Sequence, residues 1–333
     1  AALALIPQQL VALQPPTTTV RPEHSWATLP VAWHSGNSTG RYTNAQIKEL
    51  ARYQMVTLEK FQNLRAIVPA EVLARDYESP GGLYGCQRNA TLSLCGCCGE
   101  DEIVAVARKI KAVNPKVVTV AYFNAEIGYP WYRAARLLAQ NPTWWSTQHY
   151  GPVTATWKGW NLTVAAAAAA WQQGCLDVTR TGVVDTCFVD GCKDWDSSLG
   201  AVAKRRAIAE LQTNVPGPLM CGAGGSITQN ELLRSGARGL QDESWGLVDQ
   251  ETGKGTFATR EIPLLMAAAR AGVVFQAHGR AVCGLAGKPC ENRTQPCWKA
   301  LPVRDGQSLL VHPPPSNTHV GAYACLAYIS FLA

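Results

Sequence analysis

The sequence lacks both a long apolar run and a long basic run. Nowhere do about 18 or more apolar residues follow one another, the length that a membrane-spanning helix needs, so we expect no membrane span. The formal net charge is only +6, and the main basic cluster is Lys204-Arg205-Arg206. Because so short a cluster is typical of a solvated helix face, we expect no nucleic-acid partner.

Several familiar catalytic motifs are also missing. The sequence contains no Gly-Xaa-Ser-Xaa-Gly elbow, which argues against a serine hydrolase. The run Cys221-Gly222-Ala223-Gly224-Gly225 resembles a phosphate loop but lacks the Gly-Lys-Ser/Thr ending. No two-histidine metal motif is present, and no histidine lies near Cys95-Gly96-Cys97-Cys98, so a metal cluster there is the weaker alternative. We therefore predict neither a metal site nor a cofactor.

Cysteine is abundant, and its number is even. We predict that all twelve cysteines form disulfides: Cys86, Cys95, Cys97, Cys98, Cys175, Cys187, Cys192, Cys221, Cys283, Cys290, Cys297 and Cys325. Four Asn-Xaa-Ser/Thr sequons predict glycosylation at Asn37, Asn89, Asn161 and Asn292. Disulfides and glycans together indicate a secreted, extracellular protein of the eukaryotic secretory pathway.

The first 26 residues predict an extended arm that precedes a single large domain at residues 27–333. The arm has two short apolar runs followed by Pro15-Pro16, and such a segment cannot fold alone. We expect it to dock on its own domain or on a neighbouring subunit, which would give a homo-oligomer or a filament. Its opening residues have no basic start, which indicates a mature N-terminus after signal cleavage.

The domain alternates short apolar runs with amphipathic segments, and this alternation predicts a parallel sheet. The predicted strands are 29–34, 55–61, 117–123, 182–190, 219–222, 239–243 and 273–278. The predicted helices are 44–53, 100–112, 131–140, 163–173, 198–212, 229–235 and 261–271. The fold class is therefore α/β, a (β/α)8 barrel of the TIM type, with cysteine-rich insertions at about 70–99 and 280–305. The eighth strand is predicted to be irregular or incomplete, because residues 320–332 fit either a last strand or an amphipathic helix. If they form a helix, the barrel is incomplete or is closed by another segment such as the arm.

Acidic residues follow three of the predicted strands. Asp190 ends the apolar run 182–190, Glu243 ends the run 239–243, and Glu59 follows Met55 to Leu58. Barrel enzymes keep their chemistry at these strand ends, and glycosidic bonds break between a paired acid and base. We predict that Asp190 is the nucleophile or base and Glu243 the proton donor, with Asp242 as the competitor for Glu243.

Structural roles are the alternative for both acids. Asp190 would then cap the following loop, and Glu243 would pair with an arginine such as Arg238.

Further residues at the strand ends are candidates for binding a sugar. His34 and His278 could donate hydrogen bonds to hydroxyl groups, and Glu59 and Asn124 lie at the same level of the predicted barrel. Three tryptophans at or just after strand ends offer flat faces for sugar rings: Trp33, Trp195 and Trp245. Core packing is the alternative for each tryptophan, and a structural hydrogen bond is the alternative for each histidine.

The chain resembles a group of glycoside-hydrolase-like barrels that includes uncharacterised glycosyl hydrolases and the polygalactosaminidase-like enzymes. The resemblance spans roughly residues 29–280 and is carried by Trp33-His34, Asn141-Pro142-Thr143-Trp144-Trp145, Thr181-Gly182-Val183 and Phe188-Val189-Asp190-Gly191. The last two runs are similar to the family's strand signature GVFxDG, which implies that Asp190 is catalytic. The resemblance implies a secreted glycoside hydrolase that acts on an extracellular polysaccharide, its partner being that polysaccharide or its own glycans.

A structural role is the competing interpretation. In that case the barrel would be a catalytically silent glycoprotein that polymerises through its arm into an extracellular filament or wall layer.

Overall fold

The structure is a computed structural model that describes residues 32–37, 40–60, 62–63, 99–129, 131–146, 158–192, 198–223, 238–245, 262–279 and 328–331. The predicted arm, the insertion from residue 70 to 98, the insertion at 280–305 and the predicted helix 229–235 lie outside these residues. So do Trp195, Asn89, Asn292 and the eight cysteines from Cys86 to Cys98 and from Cys283 to Cys325.

Within the described residues, one sheet of eight strands forms the centre of the molecule. Its strands, in spatial order, are β1 (Ala32–Ser35), β2 (Met55–Leu58), β3 (Val118–Asn124), β6 (Thr186–Asp190), β7 (Met220–Ala223), β8 (Gly239–Trp245), β9 (Val274–Gly279) and β10 (Tyr328–Phe331). All neighbouring pairs are parallel except β9 and β10, which are antiparallel.

Helices connect most of these strands in the described part of the chain. They are α1 (Asn44–Leu50), α2 (Gly99–Val113), α3 (Arg133–Gln140), α4 (Ala165–Thr179), α5 (Leu199–Gln212) and α6 (Ile262–Arg270). Apolar residues on one face of each helix explain their packing: α2 buries Ile103, Val106 and Ile110, and the alanine-rich α4 buries Ala167, Ala170 and Trp171. The close approach that alanine allows places α4 against both α3 and α5.

The last strand brings the sheet round on itself. β10 lies against β1, so the sheet is nearly closed into a barrel, and the predicted α/β fold of the TIM type is confirmed. The segment 320–332 contains a strand, and that strand runs against the direction of the others. Because seven strands end at the same rim, we call that end the mouth of the barrel.

A small two-stranded sheet beside the mouth was not predicted. Strands β4 (Ile127–Gly128) and β5 (Lys158–Gly159) pair in an antiparallel way, and Trp145 bridges to Trp160 next to them. Strands of two residues are too short for an alternating pattern to appear in the sequence.

One layer of the barrel interior is polar. Thr57, Gln241 and Gln276 are fully buried, and the register places His34 beside Thr57 and Gln241 beside Gln276. The ring of Phe188 occupies the space opposite Gly222, where a Cβ atom would collide with it. The layer directly beneath the mouth therefore combines hydrogen-bonding groups with large aromatic rings, those of Phe188 and Tyr122.

No helix among the described residues has the length and apolar character that a membrane span requires.

Candidate active site

Asp190 is the last residue of β6 and lies at the mouth of the barrel. It pairs with Asn124, the last residue of β3, so the two polar side chains come from adjacent strand ends. The following residue, Gly191, has φ of +72°, a conformation that residues with side chains rarely adopt. This turn directs the Gly191 N–H back to Asp190 Oδ1 at 2.8 Å. The sequence Asp-Gly thus fixes one carboxylate oxygen through the backbone.

The second oxygen of Asp190 is held by side chains of β3. The Tyr122 hydroxyl donates to Asp190 Oδ2, and Asn124 Nδ2 lies 3.4 Å from the same oxygen. Asn124 also organises the turn after β3, because its Oδ1 accepts from the Glu126 and Ile127 N–H groups at 2.8 Å each. Asp190 and Asn124 were both predicted site residues, and the structure brings them together.

Glu59 and Lys60 form an ion pair at the end of β2. Lys60 Nζ lies 2.9 Å from Glu59 Oε2, and both side chains are largely buried, with exposed fractions of 16% and 17%. Burial would raise the pKa of Glu59, but the charges of Lys60 and His34 and their hydrogen bonds lower it to about 2. Burial would likewise lower the pKa of Lys60, but the charge of Glu59 raises it above its ordinary value. Both groups are therefore charged at neutral pH.

The Lys60 ammonium lies above two tyrosine rings. It is 4.0 Å from the centroid of the Tyr122 ring and 5.5 Å from that of Tyr129. Burial raises the pKa of Tyr129 to about 12, even though Lys60 opposes the shift, and it raises that of Tyr122 well above its usual range. Both phenols are therefore neutral, and Tyr122 donates its proton in the hydrogen bond to Asp190. Neither tyrosine nor Lys60 was a predicted site residue, because the sequence gives no sign that they meet beside Asp190.

His34 points into the barrel and is bound on both sides of its ring. Its Nε2 lies 2.6 Å from Glu59 Oε1, and its Nδ1 lies 3.2 Å from Gln241 Nε2. Only 6% of the side chain is exposed. We predicted that His34 donates to a sugar, but these contacts leave its ring nitrogens engaged with the protein, so the structural alternative describes it better.

Trp33 lies on the opposite face of β1 from His34. Its ring packs against Tyr53 with the centroids 5.2 Å apart, outside the barrel. Neighbouring residues of a strand point to opposite faces, so the inward position of His34 requires this. The stacking of Trp33 on a substrate stays a prediction, and its contact with Tyr53 fits the alternative of core packing.

Lys204 corrects the interpretation of the basic cluster. Only 11% of its side chain is exposed, and its Nζ donates to Glu126 Oε1 at 2.8 Å and to the Gly191 carbonyl at 2.9 Å. Arg206, in contrast, is solvated and pairs with Glu210 on the same helix. The helix face is thus solvated only in part, and Lys204 stabilises the turn that follows Asp190.

Two disulfides flank the strand that carries Asp190. Cys175 in α4 is bonded to Cys187 in β6, and Cys192 after β6 is bonded to Cys221 in β7. The prediction of disulfides is confirmed for these four cysteines. The phosphate-loop alternative for Cys221 is thereby further weakened.

Three further predicted site residues lie at strand ends, but the structure describes only their backbones. Glu243 and Trp245 belong to β8, and His278 belongs to β9. Glu243 lies two residues after the inward-facing Gln241, in a stretch where the pairing with β9 shifts register between Asp242 and Trp245. Such a bulge changes the direction of side chains, and it is common beside active sites. The role of Glu243 stays a prediction.

Two of the predicted glycosylation sites are on the described residues. Asn37 and Asn161 are both partly exposed. The Asn161 Oδ1 accepts from the hydroxyl of Thr163, the third residue of its sequon, at 2.5 Å. Among the described residues, no group of three or more histidine, cysteine or acidic side chains could hold a metal ion.

No protein-family model matches the sequence, and no curated protein matches it. The structure has distant similarity to glycoside hydrolases of the TIM-barrel type. A class V chitinase from Nicotiana tobaccum is 8% identical with a TM-score of 0.40, and the match covers 74% of this chain and 64% of the chitinase. A GH18 chitinase from Cycas revoluta is 9% identical with a TM-score of 0.39, and the match covers 71% of this chain and 64% of that one. A maltogenic α-amylase from Thermotoga neapolitana is 6% identical with a TM-score of 0.39, and the match covers 64% of this chain and 49% of the amylase. The chain thus spans less than two thirds of the length of each.

Proposed function

We propose that the protein is a glycoside hydrolase that cleaves an extracellular polysaccharide. The observation that supports this proposal most strongly is the placement of Asp190. Its carboxylate is partly exposed at the mouth, and both of its oxygens accept hydrogen bonds. Donors on both oxygens suit an ionised carboxylate that attacks a sugar carbon or activates water. We therefore assign Asp190 as nucleophile or base.

The second carboxylate of the proposed pair is Glu243, as the proton donor. β7 alone separates its strand, β8, from β6, so the two backbones are about 10 Å apart at the usual spacing of neighbouring strands. Carboxyl groups extending from two such strand ends can reach the separations that hydrolysis needs, about 5–5.5 Å for retention or 6.5–9.5 Å for inversion. Glu59 cannot be the donor, because its pKa of about 2 leaves it ionised.

The assignment is tested by two substitutions and one matched control. A panel of polysaccharides, including polygalactosamine because of the family resemblance, is incubated with the wild type, and released reducing ends are measured. Asp190→Asn and Glu243→Gln should each reduce kcat by at least about 1,000-fold, because each removes a group that reacts with the sugar. Asp242→Asn changes the neighbouring acid in β8 and should retain activity.

Two results would contradict the assignment. If Asp190→Asn retains wild-type turnover, Asp190 is not catalytic. If no polysaccharide is cleaved while the full chain sediments as a polymer, the catalytically silent glycoprotein is the better description of this barrel.

We also propose that the protein is secreted and carries glycans on Asn37 and Asn161. The two disulfides fit an oxidising compartment, and both asparagines are partly exposed. Enzymatic removal of N-glycans from protein secreted by eukaryotic cells should lower its mass. In Asn161→Gln, this loss of mass should be smaller by the mass of one glycan.

A further inference from the structure

We propose that Tyr122 is a positioning residue for Asp190 and that its hydroxyl fixes the carboxylate in the orientation needed for reaction. The catalytic meaning of this inference rests on the proposed function, whereas the hydrogen bond itself does not. Tyr122 lies on β3, opposite Phe188 of β6. Two residues further along the same pair of strands, Asn124 lies opposite Asp190. The tyrosine ring therefore lies one layer below the mouth, beneath the carboxylate.

The position of Tyr122 excludes direct contact with a substrate. Only 2% of the residue is exposed, and its ring packs against Phe188 with the centroids 5.4 Å apart. The hydroxyl is the one polar group of its side chain: it donates to Asp190 Oδ2, lies 3.3 Å from the Tyr129 hydroxyl and lies 3.4 Å from Asn124 Nδ2. Tyr122 can therefore influence a reaction at the mouth only indirectly, through the residues that its hydroxyl contacts, and Asp190 is the one of them to which it donates.

The hydroxyl must act as the donor in this contact. Burial raises the pKa of Tyr122, and the nearby Tyr129, Asp190 and Glu59 raise it further, so the phenol keeps its proton at any pH at which the enzyme would work. A buried hydroxyl that donates to a carboxylate forms a charge-assisted hydrogen bond, which is stronger than a bond between neutral groups.

The ring itself is held in place from above. The Lys60 ammonium lies 4.0 Å from its centroid, and Glu59 fixes that ammonium at 2.9 Å. The backbone of Lys60 is also fixed, because its carbonyl accepts from Trp131 Nε1 at 2.8 Å. An immobile ring gives its hydroxyl a fixed direction, and this is what a positioning residue requires.

The competing explanation is that Tyr122 only fills the core. Phenylalanine would then serve equally well, because it keeps the ring, the contact with Phe188 and the cation–π contact with Lys60. The neighbouring Tyr129 provides a matched control. It is also buried and also lies under Lys60, but the hydrogen bond to Asp190 is made by Tyr122.

The experiment compares Tyr122→Phe with Tyr129→Phe in the full chain. On a polysaccharide that the wild type cleaves, Tyr122→Phe should lower kcat by about 10- to 100-fold, the usual effect of losing a hydrogen bond to a charged group, and change KM less than about threefold. Tyr129→Phe should change kcat less than about threefold. Equal kcat values for the two variants, or a loss confined to KM, would overturn the proposal.

A second measurement does not depend on activity. The Tyr122 hydroxyl proton should give a downfield proton NMR resonance that exchanges slowly with water, and the resonance should vanish in both Tyr122→Phe and Asp190→Ala, which remove the donor and the acceptor, while persisting in Tyr129→Phe. If it is absent from the wild type or survives in Asp190→Ala, Tyr122 does not hold Asp190. If the resonance behaves as expected but no polysaccharide is cleaved, the proposed function fails and the hydrogen bond stands.

Discussion

At the scale of single residues, Gly191 determines how the Asp190 carboxylate is presented. Its backbone is in the left-handed region, and a Cβ atom would lie 2.8 Å from Glu126 Cγ and 3.3 Å from Asn124 Oδ1. A side chain here would therefore disturb two residues that organise the site. The Asp-Gly pair was recognised in the sequence as part of a motif, but the reason for its glycine is visible only in the structure.

We expect Gly191→Ala to lower both stability and activity. Gly182→Ala is the control, because Gly182 has nearly the same φ of +71° but nothing within 4 Å of its Cβ position. Both variants should lose about 1–2 kcal/mol of unfolding free energy from the strained backbone, and Gly191→Ala should lose more because of the collisions. Only Gly191→Ala should reduce kcat. Comparable activity in both variants would show that the turn does not orient Asp190.

Glu59 should make stability depend on pH in the acidic range. Its pKa falls from the ordinary 4.5 to about 2 on folding, so the stabilisation is complete above pH 4.5 and is lost as the pH falls towards 2. Urea unfolding between pH 2 and 6 should show this loss in the wild type and a smaller one in Glu59→Gln. At pH 7 that variant should be less stable by roughly 1–3 kcal/mol.

The exposed pair Glu49 and Arg52 provides the comparison for this measurement. Glu49 is 57% exposed, so Glu49→Gln should change stability by less than about 0.5 kcal/mol at any pH. A Glu59→Gln variant that behaves like Glu49→Gln would mean that the buried pair is not formed.

At the scale of elements, β6 is fastened to its neighbours by the two disulfides. The bond from Cys192 to Cys221 closes a loop of sequence separation 29 directly after Asp190, whereas the bond from Cys175 to Cys187 has a separation of 12 and lies lower on the strand. The two disulfides therefore stabilise the same strand, but of the two only the bond from Cys192 to Cys221 restrains the turn at the mouth.

Removing each disulfide by a pair of alanine substitutions should separate these effects. Both double variants should lose a few kcal/mol of unfolding free energy, with the larger loss for the longer loop. Only Cys192→Ala with Cys221→Ala should also lower kcat, measured below the melting temperature of both. If the two variants lose activity equally, the turn after Asp190 does not depend on its cross-link.

The order of elements could be read from the sequence because each strand is a short apolar run and each helix has its own apolar face. The predicted helix 100–112, for example, is observed as Gly99–Val113. The contacts inside the barrel could not be read in the same way. Lys204 and Arg206 are two residues apart in one basic cluster, yet one is buried against the Asp190 turn and the other is solvated. Their different environments depend on the direction that α5 takes past β6, and no local pattern encodes that direction.

At the scale of the whole molecule, the seven parallel strands place their C-terminal ends at one rim, and this is why the sequence could locate Asp190 and Asn124 there. The position of a strand end does not determine the direction of its side chains. Trp33 and His34 both end the same predicted strand, but strand geometry sends only His34 inwards. A shift of one residue in the assumed register exchanges the inner and outer faces, so the identity of the inner residues required the structure.

The antiparallel closing strand has a consequence for the solubility of the protein. On the side of β9 away from β8, the hydrogen-bonded partner among the described residues is the four-residue strand β10. The same strand lies against β1 on the side away from β2. Without Tyr328–Phe331, β9 would become an edge strand with a row of unpaired backbone N–H and C=O groups, and β1 would lose the strand that lies against it. Such edges are templates for pairing with another chain. A chain that ends before residue 328 should therefore keep most of its core and still aggregate, because the four residues of β10 separate a nearly closed barrel from an open sheet with an exposed edge.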